Sequence, residues 1–171
     1  KKVAKKSFTD MEDECKAFLG KMELAAEEDD QAIRNKTPAT NKLKMLNEVV
    51  DTLYQRDRTR MLLDLDLLSY IKRWIQPSAN GKLGTVTIRE RLIKSISQMT
   101  GENGINSNDL KRSELGKTVM MLYKHKDETP ALKRQLKGLI EQWSRPIFQK
   151  SGNMRDLERV HHMRQGGLAS L

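Results

Sequence analysis

Few residues in this chain could do chemistry: three histidines, a single cysteine and one run of carboxylates. His161 and His162 are adjacent, so on a helix they point roughly 100° apart, and no second cluster of ligands accompanies them. They read as part of a solvated tail. Cys15 falls on an apolar stripe beside Phe18 and Met22, which makes it a small core residue rather than a nucleophile. Glu27, Glu28, Asp29 and Asp30 resemble a carboxylate site in number only. A run on one helix cannot converge on one substrate atom, so the run reads as a solvated helix end. There is no glycine-rich phosphate loop, no HExxH and no cysteine pair for zinc. A hydrolase or transferase would need a convergent polar pocket that the sequence does not advertise. The expectation is a protein that is not an enzyme and carries no cofactor or metal.

Binding remains, and charge is the first guide to it. The 171 residues are one domain's worth, with room for a core and tails. They carry 32 Lys+Arg against 23 Asp+Glu, a formal charge of +9. Residues 11–30 hold eight acids and two bases, and residues 1–10 hold four lysines and one acid, which leaves +12 on residues 31–171. A basic body behind an acidic first helix suits acidic partners, whether nucleic acid or an acidic protein segment. The lone cysteine excludes an intramolecular disulfide and points to a reducing compartment. No apolar run approaches the ~20 residues needed to span a bilayer, and the start KKVAKKSFTD has no hydrophobic signal core. The chain begins without methionine and reads as a piece of something longer.

The elements that must display any binding face follow from the prolines and the apolar spacing. Thr37-Pro38 and Thr129-Pro130 each read as an N-cap followed by a first-turn proline. Pro77 and Pro146 read as helix stops, and Thr9-Asp10-Met11-Glu12 fits a capping box. These signals predict six main helices, roughly 10–34, 38–56, 59–76, 86–99, 114–126 and 130–145, with a short turn near 107–112. Leu43, Leu46, Val50 and Leu53 form one stripe, and Ile88, Leu92, Ile96 and Met99 another. The third helix is apolar almost all round, from Leu62 to Ile75 including Trp74, and belongs in the middle of a bundle. In LIEQWSRPIF, Trp143 ends a stripe of Leu132, Leu136, Leu139 and Ile140 and closes the core there. No alternation suggests a sheet. The fold class is all-α, a compact helical bundle with stacked-helix character. Residues 1–9 read as a basic arm, 10–148 as the domain, and 149–171 as a polar, flexible tail open to proteolysis.

The fifth helix is the most informative. Leu115, Val119 and Leu122 form its inward stripe, while Met120, Met121 and Tyr123 lie outside or at the edges, interleaved with Lys117 and Lys124. Methionine and tyrosine beside lysines can accept an apolar side chain and an acidic neighbour together. Arg145, at a helix C-terminus, faces the negative end of the dipole and is a candidate to pair with an acid of a partner.

Ser113-Glu114-Leu115-Gly116-Lys117-Thr118-Val119, Leu122-Tyr123-Lys124-His125 and Leu139-Ile140-Glu141-Gln142-Trp143 resemble the second half of the transcription factor S-II N-terminal domain, also called the leucine–tryptophan domain. Ala25-Ala26-Glu27-Glu28-Asp29, Pro38-Ala39, Ile71-Lys72-Arg73-Trp74, Ile88-Arg89-Glu90 and Trp143-Ser144-Arg145-Pro146-Ile147 resemble the Interacts-with-Spt-six family of elongation factors. The likeness runs from about Met11 to Phe148. It implies a nuclear scaffold that travels with RNA polymerase II and whose main partner, the histone chaperone and elongation factor Spt-six, docks a short segment on the helical domain. Gly116 fits the motif and is expected to permit close helix approach. The loop Ser78–Gly84 departs from the family by lacking its prolines. Lys117, Met120, Met121, Tyr123, Lys124 and Arg145 are the expected partner contacts, with Trp74, Gly116 and Trp143 structural. The chain is expected to be a monomer, with histone or nucleic-acid contacts through its basic flanks. The rival reading is a basic helical domain that binds nucleic acid directly, which steep salt dependence would reveal.

Overall fold

The computed structural model describes residues 7–145, and these build a bundle of helices with no strand among them. The helices are α1 (Phe8–Arg34), α2 (Asn41–Leu53), α3 (Thr59–Asp64), α4 (Leu67–Ile75), α5 (Val86–Ser97), α6 (Ser107–Ser113), α7 (Leu115–Lys124) and α8 (Pro130–Trp143), with a 3-10 turn at Arg56–Arg58. Helix α4 is central and packs against α1, α3, α5, α6 and α7. Around it α1 lies on α2, α2 on α5, and α8 on α5 and α7. Leu62, Leu63, Leu67, Ile71, Leu92 and Leu115 are fully buried where these helices meet.

Several boundaries differ from the sequence expectation, each for a local reason. Helix α1 starts two residues earlier, because the Ser7 Oγ accepts from the Asp10 N–H at 3.0 Å and displaces the Thr9–Glu12 capping box. Helix α2 starts at Asn41 rather than at Pro38. Lys36 takes a left-handed φ of 58°, and the Thr37 N–H returns to the Ala32 carbonyl at 2.8 Å, so residues 37–40 are needed to reverse the chain. The anticipated 59–76 helix is two helices. Asp66 has a φ of 69° between them, and its carboxylate accepts from the Ser69 hydroxyl at 2.7 Å and from the Arg112 Nε at 3.4 Å. What looked like one helix apolar all round is a pair of shorter ones, each with its own buried face. Along α2, Val49 is buried and Leu43 is left 45% exposed. The Thr129-Pro130 signal does set the start of α8, where the Thr129 Oγ1 accepts from the Leu132 N–H at 3.1 Å.

The carboxylate run on α1 is not the solvated helix end that its composition suggests. Asp29 is buried, and its two oxygens accept from the Asn41 and Lys42 N–H groups at 2.8 and 3.0 Å, capping α2 from a neighbouring helix. Glu23, Glu27 and Asp30 converge on Arg73 of α4. Glu28 does face solvent. At the next residue of α4, the Trp74 indole N–H donates to the Met22 carbonyl at 2.9 Å, so α4 is bound to α1 through both a buried ring and a charged clasp.

Cys15 is 1% exposed within the α1 core stripe, and burial pushes its thiol pKa up, with Arg58 offsetting only part of the rise. The thiolate is the reactive species. A thiol-alkylating reagent should therefore label the native protein far more slowly than the denatured one, as mass spectrometry over time will read. Equal rates would mean that Cys15 is not in the core.

Candidate functional site

The α6–α7 joint sets the direction of the face that the sequence singles out. Glu114 adopts a left-handed φ of 58° and serves both as C-cap of α6 and as N-cap of α7. Its N–H donates to the Leu110 carbonyl at 2.9 Å, and the Ser113 hydroxyl accepts from the Leu115 N–H at 3.2 Å. Arg112 fastens the joint to the α3–α4 break, donating to the Leu63 carbonyl at 2.7 Å. Asp109 is buried, closes a capping box with Asn106, and accepts from Arg60 at 2.7 Å. Two arginines thus hold α6, and the turn that launches α7, against the centre of the bundle.

On α7 the residues Leu115, Gly116, Thr118, Val119, Met120 and Leu122 are buried. The outward strip is Lys117, Met121 and Lys124, at spacings of four and three, which is one line along a helix. Met121 is 52% exposed, with an exposed Lys117 on one side and a partly exposed Lys124 on the other. Lys117 keeps a loose ion pair with Glu114 at 3.6 Å. Tyr123 is half-buried and packs against the core beside the strip. Met120 does not belong to the strip. It is 4% exposed, because α7 is covered on both flanks, and Met120 occupies the flank opposite Thr118. The expectation of a partner contact there is corrected to a core role. Arg145 is exposed but sits beyond the Ser144 cap of α8, on a different element. Of the residues expected to be structural, Trp74 and Trp143 are 3% and 1% exposed, and Gly116 lies buried in α7.

A separate groove of about 750 Å³ opens between the C-terminal ends of α2 and α5. Leu53 and Met99 floor it, and its ionisable lining side chains are Tyr54, Arg56 and Glu102. Its lining hydroxyls Thr59 and Ser95 donate to the Gln55 and Arg91 carbonyls, at 3.5 and 3.0 Å.

Comparison with known proteins then places the chain. The family described as "Med26: TFIIS helical bundle-like domain" matches residues 102–147, the segment that holds α6, α7 and α8. Protein IWS1 homolog 1 of Arabidopsis thaliana is 33% identical over 144 residues, covering 83% of this chain and 29% of the plant protein. Transcription factor IWS1 of Cryptococcus neoformans is also 33% identical over 144 residues, covering 84% of this chain and 30% of that protein. The chain belongs to the IWS1 family. The Yarrowia lipolytica member of the family is 33% identical over 157 residues, or 91% of this chain and 37% of its own length. The chain therefore spans between 29% and 37% of the length of these three IWS1 proteins. A solved structure of a Spt6-Iws1(Spn1) complex from Encephalitozoon cuniculi has a chain with the same all-α fold, at a TM-score of 0.74 and 24% identity, covering 78% of this chain and 95% of that one. Lys117, Met121, Lys124 and Arg145 all fall inside the matched segment 102–147.

Proposed function

We propose that this chain is the non-catalytic, protein-binding helical domain of a nuclear transcription elongation factor, and that its α7 strip takes a short segment of an Spt6-type histone chaperone. The observation that carries the proposal is Met121, a large apolar side chain 52% exposed on a helix that is otherwise covered on both flanks and set between two lysines. An apolar side chain of a partner can bury against Met121 and the Tyr123 ring while acidic neighbours reach Lys117 and Lys124. Membership of the IWS1 family supports the choice of partner class, as does the fold shared with a chain solved in complex with Spt6. Docking of this kind holds the chaperone near transcribing RNA polymerase II. A monomer suffices for it.

Met121→Glu places a carboxylate in the contact, where it must be desolvated without a partner. Titration calorimetry with the chaperone segment should show affinity falling by about tenfold or more, equivalent to at least ~1.4 kcal/mol, while helicity is retained. Lys117→Glu and Lys124→Glu should weaken association by repelling an acidic segment, and more so at low salt. Val119→Glu is the folding control, since Val119 is 0% exposed and a charge there should unfold the domain. Wild-type affinity in both Met121→Glu and Lys117→Glu would remove α7 from the interface and turn attention to α2 around Lys42 and Lys44.

A further inference from the structure

His125, just past the end of α7, uses both ring nitrogens on backbone groups of two different segments. Its Nε2 lies 2.9 Å from the Gly81 carbonyl, in the loop between α4 and α5. Its Nδ1 lies 3.1 Å from the Asp127 nitrogen, in the turn between α7 and α8. A carbonyl only accepts and a backbone N–H only donates. The ring is therefore neutral, with its proton on Nε2, and it clamps the loop to the turn. The same turn is closed by the Glu128 N–H, which donates to the His125 carbonyl at 3.2 Å.

The loop depends on such a clamp. No proline stands between Pro77 and the start of α5, so no ring in the backbone stiffens residues 78–84. The Ser78 N–H donates to the Lys82 carbonyl at 2.9 Å, and the Gly81 N–H to the Ser78 carbonyl at 2.8 Å. Gly81 takes a φ of 80°, where a side chain would be strained. These bonds fold the loop on itself. What ties it to the bundle is the His125 ring at one end and, at the other, the Arg89 Nη1 on the Gly84 carbonyl.

The clamp sets Lys82 at the C-terminal end of the Lys117–Met121–Lys124 line. The peptide group it grips joins Gly81 to Lys82, and the ring that grips it follows Lys124 directly. Lys82 is exposed, and no carboxylate of a described residue pairs with Lys82 or Lys124. Both are left for an acid from outside. Histidine is the side chain whose charge changes near physiological pH. A second proton on His125 must go to Nδ1, where it would set two donors, that N–H and the Asp127 N–H, against each other. The charged groups on the turn are Lys124, Lys126, Asp127 and Glu128, and Lys82 is the one on the loop. The elements packed here bring Lys72 from the last turn of α4, Arg89 from the first turn of α5 and Lys133 from the first turn of α8. Arg89 and Glu128 satisfy each other, so a proton on the ring adds to a surplus of lysine charge. We infer, resting on the reading of α7 as the docking helix, that His125 is a positioning residue for the Met121 strip. Neutral, it holds residues 78–84 against the end of α7 and adds Lys82 to the cations that meet an acidic segment. Protonated, it lets the loop go.

Hydrogen exchange of the full chain between about pH 8 and about pH 6, corrected for intrinsic rates, reads the loop without any partner. His125→Gln keeps a donor and an acceptor on one planar group but takes up no proton, and His125→Ala has neither. As the pH falls, protection of residues 78–84 should drop about threefold or more in the wild type relative to His125→Gln. In His125→Ala it should be low throughout, with circular dichroism unchanged. The same pH dependence in the wild type and His125→Gln overturns the inference, and so does wild-type protection in His125→Ala. Titration calorimetry with the chaperone segment then reads the function. Lys82→Gln should weaken the complex by about threefold at the upper pH, as loss of an exposed charge contact does, and should change nothing in a His125→Ala background. An equal loss in both backgrounds overturns the positioning role. A segment that binds at no pH, beside a loop that responds as expected, would instead remove α7 as the docking helix and leave the clamp standing without it.

Discussion

Trp143→Ala should destabilise the domain by about 3–5 kcal/mol, as large aromatic truncations in cores do. Trp143 is 1% exposed and closes the stripe of Leu132, Leu136, Leu139 and Ile140, through which α8 packs on α5 and α7. The backbone immediately beyond is tied down, since the Ser144 N–H and hydroxyl both donate to the Ile140 carbonyl, at 3.1 and 2.6 Å. A helix end held in this way cannot easily collapse into the space the indole leaves, so the cavity contribution should be near the upper part of the range. Chemical denaturation of both proteins will measure the shift in midpoint. An unchanged midpoint with lost partner binding would make Trp143 a surface anchor and would refute its core role.

Stripes of apolar residues reveal a helix but not its neighbours, and that distinction accounts for what the sequence did and did not disclose. The courses of α5, α7 and α8 follow from spacing and from Thr129-Pro130, because each signal is local. The break at Asp66 was hidden because Leu62 to Ile75 is apolar at nearly every phase, so periodicity cannot tell one helix from two turned against each other. At the candidate site, Lys117, Met121 and Lys124 share a line that spacing alone gives. Met120 was misjudged because its burial depends on a second neighbour covering α7, and no helical wheel contains that neighbour. Two charged residues carried a usable signal that went unread. Asp29 falls on the stripe of Cys15, Met22 and Ala26, and Arg89 falls beside Ile88 and Leu92. A charge on an apolar stripe must be buried with a partner, and both are.

Arg89 leads to the second large effect, since its partner lies outside the reach of any local pattern. Its side chain is 4% exposed and that of Glu128 is 0%. They form a two-pronged pair, Nε to Oε2 at 2.8 Å and Nη2 to Oε1 at 2.9 Å. Each partner has one further hydrogen bond: the Arg89 Nη1 donates to the Gly84 carbonyl at 2.5 Å, and Glu128 accepts from the Thr129 N–H at 3.0 Å. The pair joins the first turn of α5 to the turn that connects α7 with α8, and so ties the end of the Met121-bearing helix to the rest of the bundle. Glu128→Ala should cost about 3–5 kcal/mol, because it leaves a guanidinium buried without its counter-charge. Arg89→Met/Glu128→Leu should cost less than the sum of the two single changes, and less than Glu128→Ala alone, because removing both charges removes the desolvation penalty along with the attraction. A double-mutant cycle by chemical denaturation gives the coupling directly. Strictly additive costs would show that the two charges stabilise the turn independently, and the shared geometry of α7 and α8 would then rest on their apolar contacts alone.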